Sequence, residues 1–309
     1  MEGKRTFQII EPKDLKAWLE RDGAPRVIDV LPKEIYDQRR LPGALNACVY
    51  EVTFPEQVEA IAPGRERDIV VYGSSAASLD ARVAAEKLVR LGYPRVFALR
   101  GGVAAWVEAG YPLEGRGDVG PERAEPRLLP KSRVYVVDAD QSVIEWTGRK
   151  PNGQHHGTVM LSKGQITLEQ GTIGGAFEID MGSIKNIDLE GDPLQPVLIQ
   201  HLASDDFFFV KVFPKATFTI SSARLVEHPT MSSPNFEVRG DLKMRGVDAG
   251  ISFPATANRL DDGGVGIEAH FDIDRTRWNV IYGSSRFFEH LGMHLVYDLI
   301  SIQLRIVAR

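Results

Sequence analysis

The hydrophobic period of this chain changes once, near residue 115, and that change calls for two different folds in one polypeptide. Before it, the apolar runs "RVIDV" (Arg26 to Val30), "DIVVY" (Asp68 to Tyr72) and "RVFAL" (Arg95 to Leu99) alternate with "PKDLKAWLER", "TFPEQVEAIA" and "LDARVAAEKLVRL". In the last of these Leu79, Val83, Ala84, Leu88 and Leu91 recur at helical spacing. Such alternation predicts a mostly parallel sheet with helices on both faces. After the change the period is two: Val265, Ile267, Ala269, Phe271 and Ile273, then Ile300, Ile302, Leu304 and Ile306, alternate with polar residues. That pattern predicts an antiparallel sheet, either a sandwich or a closed barrel. The stretch between, "EGRGDVGPERAEPRLLPK", has prolines, glycines and charges without a period and reads as a linker. The expected organisation is a first domain over 1–115, a linker over 116–130 and a second domain over 131–309.

A chain of 309 residues has room for two cores. Its net charge of -5 argues against nucleic acid, which needs a concentrated basic face. With Cys48 as the single cysteine, no intrachain disulfide forms. The start "MEGKRTFQIIEPKDLKAWLE" lacks the apolar region of an export signal, and no apolar run reaches the roughly 18 residues of a membrane span. A cytoplasmic protein with no transmembrane segment is the expectation.

"VVYGSSAASLDARVAAEKLVRLGY" reads as strand, small-residue loop and helix, an arrangement that commonly presents a nucleophile at a helix N-terminus. The loop holds Gly73, Ser74, Ser75, Ala76, Ala77 and Ser78, with no thiol, imidazole or carboxylate before Asp80. The first domain has no histidine, so the serines lack a base. Ser78 is expected to cap the helix. Backbone N–H groups at such a loop leave anion binding as a reduced function. Cys48, in "GALNACVYE", reads as a small buried apolar residue rather than a reactive thiol.

The motifs of this half carry a resemblance. "VIDVLPKEIYDQRRLPGALN" is similar to the opening motif of rhodaneses, with Asp29 after the first core strand and Arg40, Leu41, Pro42, Gly43 and Ala44 where the family usually has His-Ile-Pro-Gly-Ala. "LRGGVAAWVEAGYPLE" is similar to the family's ending through Gly101, Gly102, Trp106, Gly110, Tyr111 and Pro112. The resemblance places the catalytic cysteine at Gly73 and the loop's usual arginine at Ser78, so it implies a rhodanese-like α/β module without its thiolate. No catalytic residue is assigned, and the module is expected to serve interaction or regulation. The alternative is a sulfurtransferase-related or small-anion-binding enzyme acting through the Gly73 to Ser78 loop.

From Tyr135 the chain resembles the YceI-like family. "YVVDADQSVIEW" agrees through Tyr135, Asp138, Ser142 and Trp146, with Gln141 where the family often has histidine. "HLASDDFFFVKVFPKATF" agrees through His201, Leu202, Ser204, Asp206, Phe207, Phe208, Phe213, Pro214, Thr217 and Phe218, and "GDLKMRGV" and "DRTRWNV" follow. The resemblance implies a lipocalin-like antiparallel barrel that binds a polyisoprenoid, quinone or fatty-acyl amphiphile. The expected apolar lining is Phe177, Ile179, Met181, Phe218, Ile220, Phe271 and Trp278, with Phe207 and Phe208 near a rim or base; the same residues would otherwise fill the core. No cofactor is expected, and a second copy of the chain is a candidate partner. No metal is assigned. His290 and His294, four apart beside Glu289, come nearest to a ligand pair, but Gly292 between them weighs against the helix that would align them.

Overall fold

A computed structural model describes residues 6–117, 132–169, 172–227, 230 and 232–309. It divides into two compact units, Met1–Arg123 and Ala124–Arg309. Residues 118–130 of the expected linker lie outside the described part.

The first unit runs β1 (Gln8–Ile10), α1 (Pro12–Leu19), β2 (Arg26–Asp29), α2 (Lys33–Gln38), β3 (Leu45–Asn46), α3 (Phe54–Ile61), β4 (Ile69–Tyr72), α4 (Asp80–Arg90), β5 (Val96–Leu99) and α5 (Gly102–Glu108). Its five strands are parallel in the order β1-β5-β4-β2-β3. Strand side chains alternate between two cores. Ile28, Val30, Ile69 and Val71 pack with Phe54 and Val58 of α3 and with Ala84, Ala85 and Leu88 of α4. Val27, Val70 and Tyr72 pack on the other face with Leu15 of α1 and Val103 and Trp106 of α5. Helices therefore cover both faces, and every residue of β4 is buried, as a doubly covered parallel strand requires.

Asp29, at the end of β2, is fully buried. Its Oδ1 accepts the Leu31 N–H at 2.9 Å, while Oδ2 has no well-formed hydrogen bond. Burial pushes its pKa up to about 6, outweighing the lowering by the neighbouring Tyr72 hydroxyl and the Leu31 N–H. Because the native carboxyl holds its proton more tightly than the unfolded one, the contribution of Asp29 to stability is greatest below about pH 4 and is lost as the pH rises through 6. A carboxyl held near 6 in the fold, against roughly 4 in the unfolded chain, makes its ionisation cost the native state about 3 kcal/mol. Asp29→Asn, which keeps the acceptor for Leu31, should gain up to about 3 kcal/mol at pH 7.5, and this gain should vanish near pH 4. Hydrogen-exchange protection of the β4 amides, compared at the two pH values, measures it.

The second unit runs β6 (Ser132–Val136), β7 (Val143–Lys150), β8 (Gly153–Glu169), β9 (Thr172–Asn186), α6 (Leu194–Ala203), β10 (Lys215–Leu225), β11 (Phe236–Met244), β12 (Val247–Arg259), β13 (Val265–Asp274) and β14 (Leu299–Ala308). All pairings are antiparallel. The order β8-β7-β14-β13-β12-β11-β10-β9 returns to β8 through the β8–β9 pair, with β6 added along the end of β8. Closure decides between the two architectures that the period-two pattern allowed. Strands β8 and β9 are long, 17 and 15 residues, and their register shifts between Thr158 and Met160 and again between Leu161 and Lys163. Bulges of this kind bend and twist long strands so that the sheet can meet itself. Gly240 supplies a second device: a Cβ there would stand 2.6 Å from the Phe218 ring, so the bare backbone is what lets that ring lie flat against β11.

The inward rows are those the alternation marked out. Ile267, Phe271 and Ile273 pair directly with Ile306, Ile302 and Ile300. One element was not anticipated: α6 interrupts a half that reads as strands throughout. Its Pro196 sits in the first turn, where a missing N–H costs nothing. Leu198 and Leu202, four residues apart, turn to the barrel, while Leu194 and Val197 stay exposed.

Candidate functional site

The barrel is hollow. Its interior holds a cavity of about 280 Å³ walled almost wholly by apolar side chains from all eight ring strands and from α6. Phe177, Ile179, Met181, Phe218, Ile220 and Phe271 stand on that wall, as do Phe207 and Phe208, which lie on the segment after α6. Trp278 does not. It is completely buried with its Nε1–H donated to the Leu242 carbonyl at 2.7 Å, so it anchors the 3-10 turn Arg275–Trp278 in the core rather than facing the hollow. The indole's need for an acceptor drew it to backbone, a preference that alternation cannot reveal.

Aromatic packing stiffens the wall. Phe253 and Phe271 stack with centroids 4.1 Å apart and planes 7° apart, and Phe177 and Phe218 stack at 6.3 Å. At one end Tyr135, Ile166, Leu168, Val265 and Ala308 are buried and pack the base of the barrel. At the other, Lys150 and His155 both line the hollow and reach solvent, which marks the mouth. Beside it the buried Arg275 donates to the carbonyls of Val280, Val296 and Tyr297, and so ties the 280–297 segment to the rim. Several lining residues escaped the sequence reading. Phe253 obeys the period-two rule and was findable, and Leu198 and Leu202 carried an i, i+4 signal. Lys150 and His155 carried none, because only strand register brings them together.

His290 and His294 do not share a helix. His290 adopts the left-handed backbone (φ 58°) with its side chain 95% exposed, and His294, in the 3-10 turn Gly292–His294, lies 3.3 Å from the Tyr282 hydroxyl through Nδ1. Among the described residues no group of three or more histidine, cysteine, aspartate or glutamate side chains converges as a metal site would require. The segment His201 to Asp206 is a turn with local hydrogen bonds: Ser204 Oγ donates to the His201 carbonyl at 2.7 Å, and His201 Nε2 lies 3.1 Å from Asp206 Oδ2.

In the first unit the loop after β4 is filled from within. Asp80, the first residue of α4, is buried and folds back over Gly73. Its Oδ2 accepts the Ser74 N–H at 3.1 Å and the Ser74 Oγ–H at 2.9 Å, and its Oδ1 accepts the Tyr50 hydroxyl. Burial works against its ionisation, but hydrogen bonds from Ser78, Tyr50 and Ser74 outweigh that and draw its pKa below the usual carboxylate range. A Cβ added at Gly73 would stand 2.4 Å from the Asp80 Cβ. The carboxylate therefore takes up the Ser74 N–H of the loop, and it does so in the space a residue-73 side chain would need. The first turn of α5 clamps the loop from behind, with Val103 and Ala104 N–H donating to the carbonyls of Gly73 and Ser74 at 2.9 and 3.0 Å. The expectation that Ser78 caps α4 is corrected: Leu79 holds the N-cap position without a side-chain bond, and Ser78 Oγ only reaches the Asp80 N–H at 3.4 Å. Ser75, Ala76 and Ala77 complete the turn, Ser75 Oγ accepting the Ala77 N–H at 3.3 Å. Cys48 is buried, its N–H donated to Gln57 Oε1 at 2.9 Å.

A closed eight-stranded antiparallel barrel with an apolar hollow, carried in the same chain as a five-stranded parallel α/β unit, defines the class. The chain belongs to the YceI-like family, whose model matches residues 135–308, and a rhodanese-like domain is matched over residues 11–109. It is similar to the adenylyltransferase and sulfurtransferase UBA4 of Candida albicans, 30% identical over 113 residues that make up 34% of this chain and 26% of that protein. The chain thus spans about a quarter of the length of this curated relative. Among solved structures it is similar to Burkholderia cenocepacia BcnA (21% identity, 56% of this chain and 99% of that one, TM-score 0.45). It is also similar to a polyisoprenoid binding domain from Saccharophagus degradans implicated in plant cell wall breakdown (14% identity, 57% of this chain and 97% of that one, TM-score 0.41). No helix among the described residues is long and apolar enough to cross a membrane.

Proposed function

We propose that the barrel holds an amphiphilic apolar ligand of polyisoprenoid, quinone or fatty-acyl type, and that the rhodanese-like unit is a non-catalytic module for interaction or regulation. The observation that carries this reading is the hollow itself. A small barrel can fill its interior with its own side chains, and this one instead keeps a space of about 280 Å³ behind aromatic walls with an opening at one end. Empty apolar space forfeits the contacts that would stabilise the fold, so a guest that restores them has a ready source of affinity. The family resemblance carried by the sequence supports the class of guest. For the first unit, the Asp80 carboxylate over Gly73 supports a loop that neither binds an outside anion nor carries sulfur.

Native mass spectrometry of the gently purified chain tests the carrier role. An adduct of lipid mass, or one acquired on adding prenols, quinones or fatty acids, is the expected result; an apo mass that none of these changes overturns it.

A further inference from the structure

The wall of the hollow is not uniform. Along β7 the inward row runs Ile144, Trp146, Gly148 and Lys150, from the closed end toward the mouth. The charged side chains that line the hollow are Arg149, Lys150, His155 and Arg275, and none of them is acidic. Two are already occupied: Arg275 with three backbone carbonyls, and Arg149 with Ser301 Oγ at 2.7 Å. The Lys150 ammonium makes no hydrogen bond or ion pair among the described residues. His155 Nδ1–H points to Asp188 Oδ2 at 2.8 Å, which fixes the ring and leaves Nε2 open as an acceptor for a head-group O–H, and as a donor only when the ring carries its second proton. The Asp188 carboxylate beside this corner is engaged with His155, the His156 N–H and the Asn186 amide.

Register brings the two open groups together. Gly148 pairs with His155 and Lys150 with Gly153, so Lys150 and His155 are diagonal neighbours on the inward face, within reach of one small group. Gly148 leaves the space between them open, since even a Cβ there would meet nothing nearer than Ile300 Cδ1 at 3.5 Å. One step deeper, Trp146 Nε1–H is buried without an acceptor, a costly arrangement that a ligand oxygen near Gly148 would relieve. An unpaired ammonium and an unsatisfied N–H along one strip of an otherwise apolar wall form a station for an electron-rich head group, with the His155 imidazole beside them.

The size of the hollow limits the tail. A protein cavity of about 150 Å³ accommodates benzene, so 280 Å³ has room for about a dozen carbons and one chain rather than two. Resting on the carrier reading above, we infer that the ligand is a single-chain amphiphile with an anionic head, carboxylate or phosphate monoester. The head sits over Gly148 between the Lys150 ammonium and the Trp146 N–H, beside His155, and a tail of about a dozen carbons lies among Phe177, Phe218, Phe253 and Phe271.

Calorimetric titration of dodecanoate, dodecyl phosphate and dodecan-1-ol, below their aggregation concentrations, into the full chain and into Lys150→Met tests this. Expected is at least about tenfold tighter binding of one or both anions than of the alcohol, with the stronger anion identifying the head. In Lys150→Met the preference should shrink to within about threefold, the anions losing more affinity than the alcohol. Equal or tighter binding of the alcohol by the unaltered chain, or an equal loss for all three in Lys150→Met, overturns the head-group assignment. Binding of long neutral prenols without any of the three probes overturns this inference and leaves the carrier reading standing. If no amphiphile of any length binds, both fall.

Discussion

Gly148→Phe should abolish uptake of apolar ligands, weakening binding by more than about a hundredfold, while the barrel stays folded. The residue points inward near the mouth, its backbone is ordinary strand, and its Cβ would make only a van der Waals contact with Ile300. A benzyl group placed there takes up roughly half of the space, judged against the benzene-sized cavity of about 150 Å³. The gross gain from burying a dozen carbons is about 10 kcal/mol. After at least about 4 kcal/mol for association, an affinity in the tens of micromolar remains. Removing half of the buried carbons takes away about 5 kcal/mol, which no residual head-group contact replaces. Calorimetry with the best ligand reads the loss, and circular dichroism with thermal unfolding checks the fold. Retained binding in a folded Gly148→Phe protein would show that the ligand occupies some other surface.

Gly73→Cys alone should not restore a sulfurtransferase. The chemistry is simple to state: a thiolate attacks the outer sulfur of thiosulfate, the S–S bond breaks, sulfite leaves, and the persulfide passes its sulfur to cyanide as thiocyanate. It needs a thiolate facing open loop amides. In this chain the new Cβ collides with the Asp80 Cβ, and a carboxylate already accepts the Ser74 N–H. Overpacking of that kind costs about 1–3 kcal/mol, and the adjacent negative charge raises the thiol pKa and repels thiosulfate. Asp80→Gly removes the Asp80 Cβ as well as the carboxylate and so vacates both the space and the amide, and Ser78→Arg returns the cation that the family usually has in the loop. The expected series is no activity above the Cys48→Ala control for the unaltered chain and for Gly73→Cys, and measurable thiocyanate formation for the triple variant Gly73→Cys, Ser78→Arg, Asp80→Gly. Activity in the single variant would show that Asp80 does not obstruct the loop. The stability cost of Gly73→Ala should also fall when Asp80 is glycine, which removes the colliding Cβ, a coupling that a double-mutant cycle measures directly.

Much of the fold is legible in the residue order, because both halves are written in hydrophobic period. Leu79 to Leu91 mark the helix, Val265 to Ile273 and Ile300 to Ile306 mark the facing rows, and the motif residues around Gly43, Trp106 and His201 mark the families. The missing thiol at Gly73 is equally plain. The helix α6 is obscured because its apolar residues sit in a short proline-containing segment between strands. Trp278 looks like a wall residue because alternation does not register where an indole N–H finds its acceptor.

Residue order alone settled which side chains are apolar, how they alternate and that a glycine stands at position 73, since these depend on identities and on spacing along one chain. Tertiary structure decided the rest: that the sheet closes around free volume, that Asp80 turns back onto Gly73, and that Lys150 comes to lie beside His155. Each of these is a relation between atoms brought together by strand register or by packing, and none is encoded in any single local segment.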